Sequence, residues 1–431
     1  MYSKCLTRWF KKLFQLLMAV LLKMCESGTR ESDKGYSFRA FKYEEIKPKN
    51  KQRLPHPRSG HRIGADSTNF YSFGGYNPTI HSEEDINLVN SYPLFQELWK
   101  FNYSTRMWSK FKISGSLPLE LASNALVLHR NYLMVYVCVY GGTGSPFGFR
   151  CSNQLYVCRV NEENDPMLEI QTTGQWPLPL YGQALVHHND YLYTIGGTTG
   201  LSYTCDIHRL YMKTMTWEIV YLCSGKGDYE PEGRYRHEVS FDGKQIYVLG
   251  GGTADTAYDL QCIPTFNVEK KCWKKLPTIR DPHKGVPAPR RCHGTVQINS
   301  DPGVQVFVTG GHDGENVFND LWRLDLATMQ WTCFDFCQLP IRTYFHATAV
   351  SPEGRIYVFG GINTINDNVV RNNLIYSTWL CIPKLSEMCW EAVLHYSPNI
   401  VKSKQEDLID IGLPRHFIQR LGKKDKTAKS A

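Results

Sequence analysis

The sequence predicts an all-β chain, a six-bladed β-propeller, with a small C-terminal appendage of three helices. Three observations lead there. A strand-ending Gly-Gly pair recurs six times, at 74–75, 141–142, 196–197, 250–251, 310–311 and 360–361. An aromatic residue followed by a tryptophan comes after most of these pairs. Beyond Pro383 the hydrophobic period changes from 2 to 3.6.

The glycine pairs close apolar runs such as Tyr71-Ser72-Phe73, Tyr247-Val248-Leu249 and Tyr357-Val358-Phe359, at spacings of 50 to 67 residues. A kelch blade takes about 50 residues, so the surplus goes into loops. The longest loop follows Gly75 and carries Glu83, Glu84 and Asp85. Glycine belongs where two backbones approach closely, because it lacks a Cβ and tolerates positive φ. The second signature runs Leu98-Trp99-Lys100-Phe101 to Trp108, Leu210-Tyr211 to Trp217, Phe266 to Trp273, and Leu321-Trp322-Arg323-Leu324 to Trp331. A third-strand aromatic and a fourth-strand tryptophan would pack between blades. The second blade has Met167 or Leu168 in the tryptophan's place.

A third signature opens each blade: Pro57-Arg58-Ser59-Gly60-His61, Leu119-Glu120-Leu121-Ala122-Ser123, Leu180-Tyr181-Gly182-Gln183-Ala184, Gly233-Arg234-Tyr235-Arg236-His237, Pro289-Arg290-Arg291-Cys292-His293 and Arg342-Thr343-Tyr344-Phe345-His346. Four of the six end in histidine, which reads as structural hydrogen bonding between blades. The ring must also close. The sixth unit offers three strands before Pro383, and Tyr36 to Ile46 is the candidate for the missing outer strand, giving a propeller over 36–382. Closure by distant segments removes sheet edges.

Composition excludes other classes. Aromatics make up 13% of the 431 residues and charged residues 21%, a folded composition. The net charge of +8 is partly local: Lys4, Arg8, Lys11 and Lys12 in front, and Lys423, Lys424, Lys426 and Lys429 in a basic tail over 423–431. No basic run is interleaved with aromatics, so nucleic acid is not an expected partner. None of the 14 cysteines forms a CxxC pair, so no metal site is assigned, and a reducing compartment, the cytoplasm with the nucleus also open, fits best. In the leader, 1–35, the apolar run Leu13 to Leu22 is too short for an ordinary membrane span. It reads as a signal-peptide core, an amphipathic helix or a disordered leader. No activated nucleophile, paired acidic site or metal spacing is present, so no catalytic residue and no cofactor are assigned.

In the tail, Leu385, Cys389 and Val393 are spaced by four with Met388 beside them, one stripe of a helix that opens at Pro383. Ser403 with Glu406 reads as a capping box, and Gly412 as the stop of that second helix. A third begins at Leu413-Pro414 and shows Phe417 and Leu421 on one side. Three such short helices are expected to need the propeller or a partner to bury their apolar faces.

Over 383–422 the chain resembles two recognition boxes. Leu385, Cys389 and Val393 match the BC box, Leu-x-x-x-Cys-x-x-x-aliphatic, through which receptor subunits bind elongin C. Leu413-Pro414 with Phe417 and Leu421 matches the cullin box of the cullin-2 type. From about Pro57 to Leu421 the chain looks like the kelch domain-containing protein ten family, on segments including Arg58-Ser59-Gly60-His61, Phe73-Gly74-Gly75-Tyr76-Asn77-Pro78, Gly141-Gly142-Thr143-Gly144, Tyr181-Gly182-Gln183-Ala184, Arg234-Tyr235-Arg236-His237-Glu238 and Arg291-Cys292-His293. The resemblance implies a substrate receptor of a cullin-2 RING ubiquitin ligase, with elongin B, elongin C and cullin-2 with its RING subunit as partners. It further implies recognition of substrate C-termini, degrons ending in a small residue such as glycine. Arginine binds a terminal carboxylate through paired, charge-assisted hydrogen bonds. The expected degron-binding residues are Arg58, Tyr181, Gln183, Arg234, Arg236, Arg291 and Tyr344. The expected elongin C contacts are Leu385, Met388, Cys389 and Val393, and the expected cullin contacts Leu413, Pro414, Phe417 and Leu421. The rival reading is a kelch scaffold with no ligase link, whose tail merely caps the propeller.

Overall fold

A computed structural model of the protein describes residues 35–79, 94–115, 117–130, 135–160, 165–300, 303–365 and 368–422. The leader before Gly35, the acidic loop with Glu83, Glu84 and Asp85, and the basic tail lie outside the described residues. In the first blade, Arg62–Ala65, Asn69–Phe73, Leu98–Asn102 and Met107–Lys110 pair antiparallel from the inner strand outward. The same order repeats at 125–170, 184–221, 238–277 and 294–333, and the inner strands of successive blades touch in a closed cycle. The sixth blade takes Ala347–Val350, Arg355–Phe359 and Ile375–Trp379 from the end of the ring. Its outermost strand is Glu44–Glu45, in register with Ser377 and Tyr376. Only these two residues of the 36–46 segment are strand; Phe41 instead stacks on Phe334 of the fifth blade at 4.5 Å.

Because both faces of each sheet meet another blade, the core is divided into wedges, one per blade interface. The tryptophans drive these wedges. Trp108 meets Phe359 of the sixth blade at 5.0 Å, and Trp217 meets Tyr140 of the second at 5.2 Å. In the second blade the buried substitute is Met167, while Leu168 faces solvent.

Two hoops of backbone hydrogen bonds tie the blades together around the axis. In the first, each N–H donates to the equivalent carbonyl of the neighbouring blade: Ser123 to Gly60, Gly182 to Ser123, Arg236 to Gly182, Cys292 to Arg236, Phe345 to Cys292 and Gly60 to Phe345, at 2.7–3.2 Å. All six residues have positive φ. In the second hoop the later glycine of each pair donates to the next blade, as Gly361 does to Arg58 O at 2.9 Å. A Cβ on Gly360 (φ +63°) would lie 2.7 Å from the His61 ring of the next blade, and one on Gly361 2.8 Å from Cβ of its own blade's His346. The glycine pair is thus the slot into which two blade-opening side chains fit.

That slot also fixes the repeat alignment. The histidine position is held by His61, Asn124, Gln183, His237, His293 and His346, so the expected segments end one residue early in the second blade and one late in the third. His61 Nε2 donates to Phe359 O of the sixth blade at 3.1 Å. Burial, reinforced by a nearby arginine, lowers the pKa of His237 to about 3; burial lowers that of His346 to about 4 and drives those of His61 and His293 well down. The folded chain therefore keeps these rings neutral, whereas the unfolded chain protonates them below the ordinary value near 6.5. Stability should fall as pH drops from about 6.5 toward 4, by about 1.4 kcal/mol per histidine per pH unit. Urea-unfolding midpoints at pH 7.5, 6 and 5 would show it; a flat midpoint would contradict it.

The appendage comprises α1 (Leu385–Tyr396), a 3₁₀ turn (Pro398–Lys402), α2 (Gln405–Asp410) and α3 (Arg415–Gln419). The Ser403–Glu406 capping box does not form: the 3₁₀ turn consumes Ser403, and α2 starts after Lys404 with no side-chain cap. Gly412, at φ +85°, does end α2. The helices also bury more of their own surface than their length suggests. Trp390, Val393, Ile400, Leu408, Leu413, Phe417 and Ile418 form one cluster, with Trp390 stacked on Phe417 at 5.1 Å.

Polar bonds then fasten the appendage to the ring. Glu391 accepts from Arg355, from Trp379 Nε1 at 3.1 Å and from Tyr36 OH at 2.9 Å. Arg420 pairs with Glu387 at 2.6 Å and with Glu353 at 3.3 Å, and its carbonyl accepts from Asn102 Nδ2. Glu353 and Asn102 sit where strands turn at the end of the ring far from the blade-opening segments, so the appendage lies on the opposite face from those segments.

Candidate peptide-binding mouth

Each blade enters the ring through its opening segment, so these six segments converge on the axis. The first hoop closes the floor. One residue earlier stand Ser59, Ala122, Tyr181, Tyr235, Arg291 and Tyr344, each bridged to the stretch just after a glycine pair. Four consecutive blades thus present large polar side chains and two present small ones. The small arc is roofed from elsewhere. Arg371, at the end of an extra hairpin (Ile362–Ile365 with Asn368–Arg371), donates from Nε to Ser59 Oγ at 2.9 Å. Its guanidinium lies 5.2 Å from the Tyr76 ring, which meets Phe147 edge-on at 4.8 Å. Tyr181, Tyr235 and Tyr203 form a continuous aromatic wall at 6.1 and 5.6 Å, and His312 packs on Tyr344 at 4.6 Å.

Arg236 lies in the floor. From the fourth blade its side chain crosses the axis to donate from Nη2 to Ser123 Oγ of the second at 2.5 Å, with the guanidinium 4.8 Å from the Phe345 ring. Its Nε has no partner, and among the described residues no carboxylate pairs with it. Burial, then repulsion from Arg62, lowers its pKa to about 10. Beneath it Arg62 bonds Glu238 at 2.5 Å, joining opposite blades across the axis. The mouth is therefore blind. Arg291 stands in the wall; it donates to the Thr253 carbonyl and leaves Nε without a partner.

Arg58 and Arg234 do not line the mouth as expected. Both are fully buried and, with Arg290, form a repeated clamp: Nε donates to a carbonyl two residues back, Nη1 to the first glycine of the blade's pair, and the guanidinium stacks on Phe95, Tyr258 or Phe318 at 4.3–4.4 Å. Buried, with all three nitrogens bonded and one face stacked on a ring, none of these guanidiniums can reach a ligand. Gln183 is likewise a wedge between blades, donating to Tyr140 O at 3.2 Å. Tyr181, Arg291 and Tyr344 are at the mouth, and Arg236 is in its floor. Sequence reasoning missed Tyr76, Phe147, Tyr235, His312 and Arg371. Tyr235 was findable by aligning the opening segments; Arg371 has no counterpart in the repeat and gave no signal.

On the appendage, Leu385 is 51% exposed, with Met388 and Cys389 half-buried beside it. Val393, Leu413 and Phe417 differ from expectation: they point into the appendage's own cluster and offer little surface. Pro414 and Leu421 remain half-exposed. Among the described residues no group of three or more His, Cys, Asp or Glu side chains could hold a metal ion.

Comparison with known proteins adds the following. The model of the KLHDC2/KLHL20/DRC7 Kelch-repeats domain matches residues 25–197, 90–302 and 202–399. The chain is 44% identical over 384 residues to Kelch domain-containing protein 10 homolog of Drosophila melanogaster, covering 85% of this chain and 62% of that protein. It is 43% identical over 370 residues to Kelch domain-containing protein 10 of Xenopus tropicalis (86% of this chain, 87% of the relative). To the Homo sapiens protein of that name it is 42% identical over 369 residues (86% and 80%).

Proposed function

The chain belongs to the Kelch domain-containing protein 10 family, and from that premise we propose that it is a non-catalytic substrate receptor of a cullin-2/elongin B–C RING ubiquitin ligase, reading protein C-termini at the propeller mouth. A kelch propeller fits a protein-interaction role in any case. The observation that carries the finer reading is the blind mouth with Arg291 and Arg371 around a floor that holds an ion-unpaired Arg236. A closed floor admits a chain end and stops a chain passing through. Guanidinium groups with spare donors suit a carboxylate, which the last residue of every chain carries. A small last residue lets that carboxylate reach the floor, and a larger one is excluded by the wall. The exposed Leu385, with Met388 and Cys389, supports an elongin C contact, on the face opposite the mouth.

The test is fluorescence anisotropy with a glycine-ended peptide as the free acid and as the C-terminal amide. A charge-assisted hydrogen bond contributes about 1.5–3 kcal/mol, so amidation is expected to weaken binding roughly 10- to 100-fold. Arg291→Ala should weaken the acid and leave the amide unchanged; because Arg291 is nearly buried and holds the Thr253 carbonyl, a thermal melt of the variant checks that it is folded at the assay temperature. Equal affinity for acid and amide would remove the reading.

A further inference from the structure

Beside the mouth, two loops expose large apolar side chains to an unusual degree: Phe147 at 51%, Phe149 at 87% and Leu201 at 97%. These loops are held rigidly. Gly148 and Gly200 meet so closely that a Cβ on either would lie within 2.9 Å of the other's Cα. Thr143 Oγ1 accepts from Gly148 N and Thr198 Oγ1 from Gly200 N, both at 3.0 Å. The single S–H of Cys151 lies between the carbonyls of the two loops, Gly148 O at 3.7 Å and Thr199 O at 3.6 Å. Three bulky apolar groups on a braced backbone, beside a polar mouth, cost the monomer solvation and gain it no core. Such a patch marks a binding surface, and its rigidity lowers the ordering cost of binding.

Its place identifies the occupant. The path from the Arg371 guanidinium to the Phe147 ring is 5.2 Å to Tyr76 and then 4.8 Å onward. An extended chain rises about 3.3 Å per residue, so a peptide with its carboxylate at the cations reaches this lip at its third residue from the end. We propose that the Phe147–Phe149–Leu201 lip binds apolar side chains at the third to fifth positions from the substrate's C-terminus. This rests on the C-terminus reading above and adds a second, side-chain determinant to it.

A series of glycine-ended peptides with a single leucine moved from position three to position eight, in an otherwise Ser/Gly background, tests it by anisotropy against wild type, Phe149→Ser and Leu201→Ser. Both changes are at exposed positions and should leave the melting temperature unchanged. Wild type should bind the leucine peptides at positions three to five about 5- to 30-fold more tightly than those at seven and eight, and either variant should flatten that profile while still distinguishing acid from amide. A flat wild-type profile with acid preserved over amide would overturn the lip and leave the mouth intact. A leucine preference that survives in both variants would overturn it too. Loss of the acid–amide difference would remove the mouth reading and the lip with it.

Discussion

Arg290→Ala is expected to lower the unfolding free energy by about 3–5 kcal/mol, the cost of breaking a buried ion pair from one side. Arg290 is fully buried and holds Asp320 through two bonds of 2.6 and 2.8 Å. It also supplies donors to Ala288 O and Gly310 O. Removing it leaves two carbonyls short of a donor, a void against Phe318 and an Asp320 carboxylate without its cation, held only by Trp322 Nε1 at 2.7 Å. The same clamp at Arg58 reaches Glu97 through one bond of 2.9 Å, and at Arg234 it reaches the largely exposed Glu232 at 3.4 Å. The losses should therefore rank Arg290→Ala, then Arg58→Ala, then Arg234→Ala. Urea denaturation of the three variants decides it; equal losses would mean that the carboxylates contribute nothing and the carbonyl bonds and stacking everything.

The second large effect concerns the appendage. Leu385→Ala with Cys389→Phe is expected to abolish copurification of elongins B and C while the propeller melts as wild type does. Leu385 stands half in solvent at the start of α1, so its truncation costs the fold little. Cys389 is half-buried one turn on, where a phenyl ring would project into the contact. Val393, Leu413 and Phe417 make poor probes, because they fill the cluster around Trp390 and their loss would unfold the helices. Cullin-2 should be lost along with the elongins. Elongin binding that persists in the folded double variant would eliminate the BC-box assignment and favour the scaffold reading.

The blades were legible because their signals are local and repeated. A glycine pair, an aromatic and a tryptophan each answer one steric demand, and six copies average out one deviant such as Met167. The mouth was legible only in part. Sequence marks arginines at the blade openings but not which way they turn. One step along the chain separates Arg290, sealed in the clamp, from Arg291 in the wall, and the pairs Arg58/Ser59 and Arg234/Tyr235 divide in the same way. Once the glycine slot fixes the register, that division follows; without it, all the arginines look alike. Arg371 and Phe147 lie in loops outside the repeat, so no periodic argument could reach them. The tail's helices were legible from their apolar period, but that period cannot say whether a stripe faces a partner or its own neighbours.

The sixth blade has a consequence in time. Glu44 and Glu45 leave the ribosome more than three hundred residues before their partners Tyr376 and Ser377. The two hoops likewise stand open until the sixth blade is made, since Gly60 awaits Phe345 and Arg58 awaits Gly361. The growing chain is an arc with two unsatisfied ends, and the last blade to be translated turns it into a ring. The appendage is fastened to that blade through Arg355 and Glu391 and to the first blade through the Arg420 carbonyl and Asn102, so its full seat needs both ends of the arc.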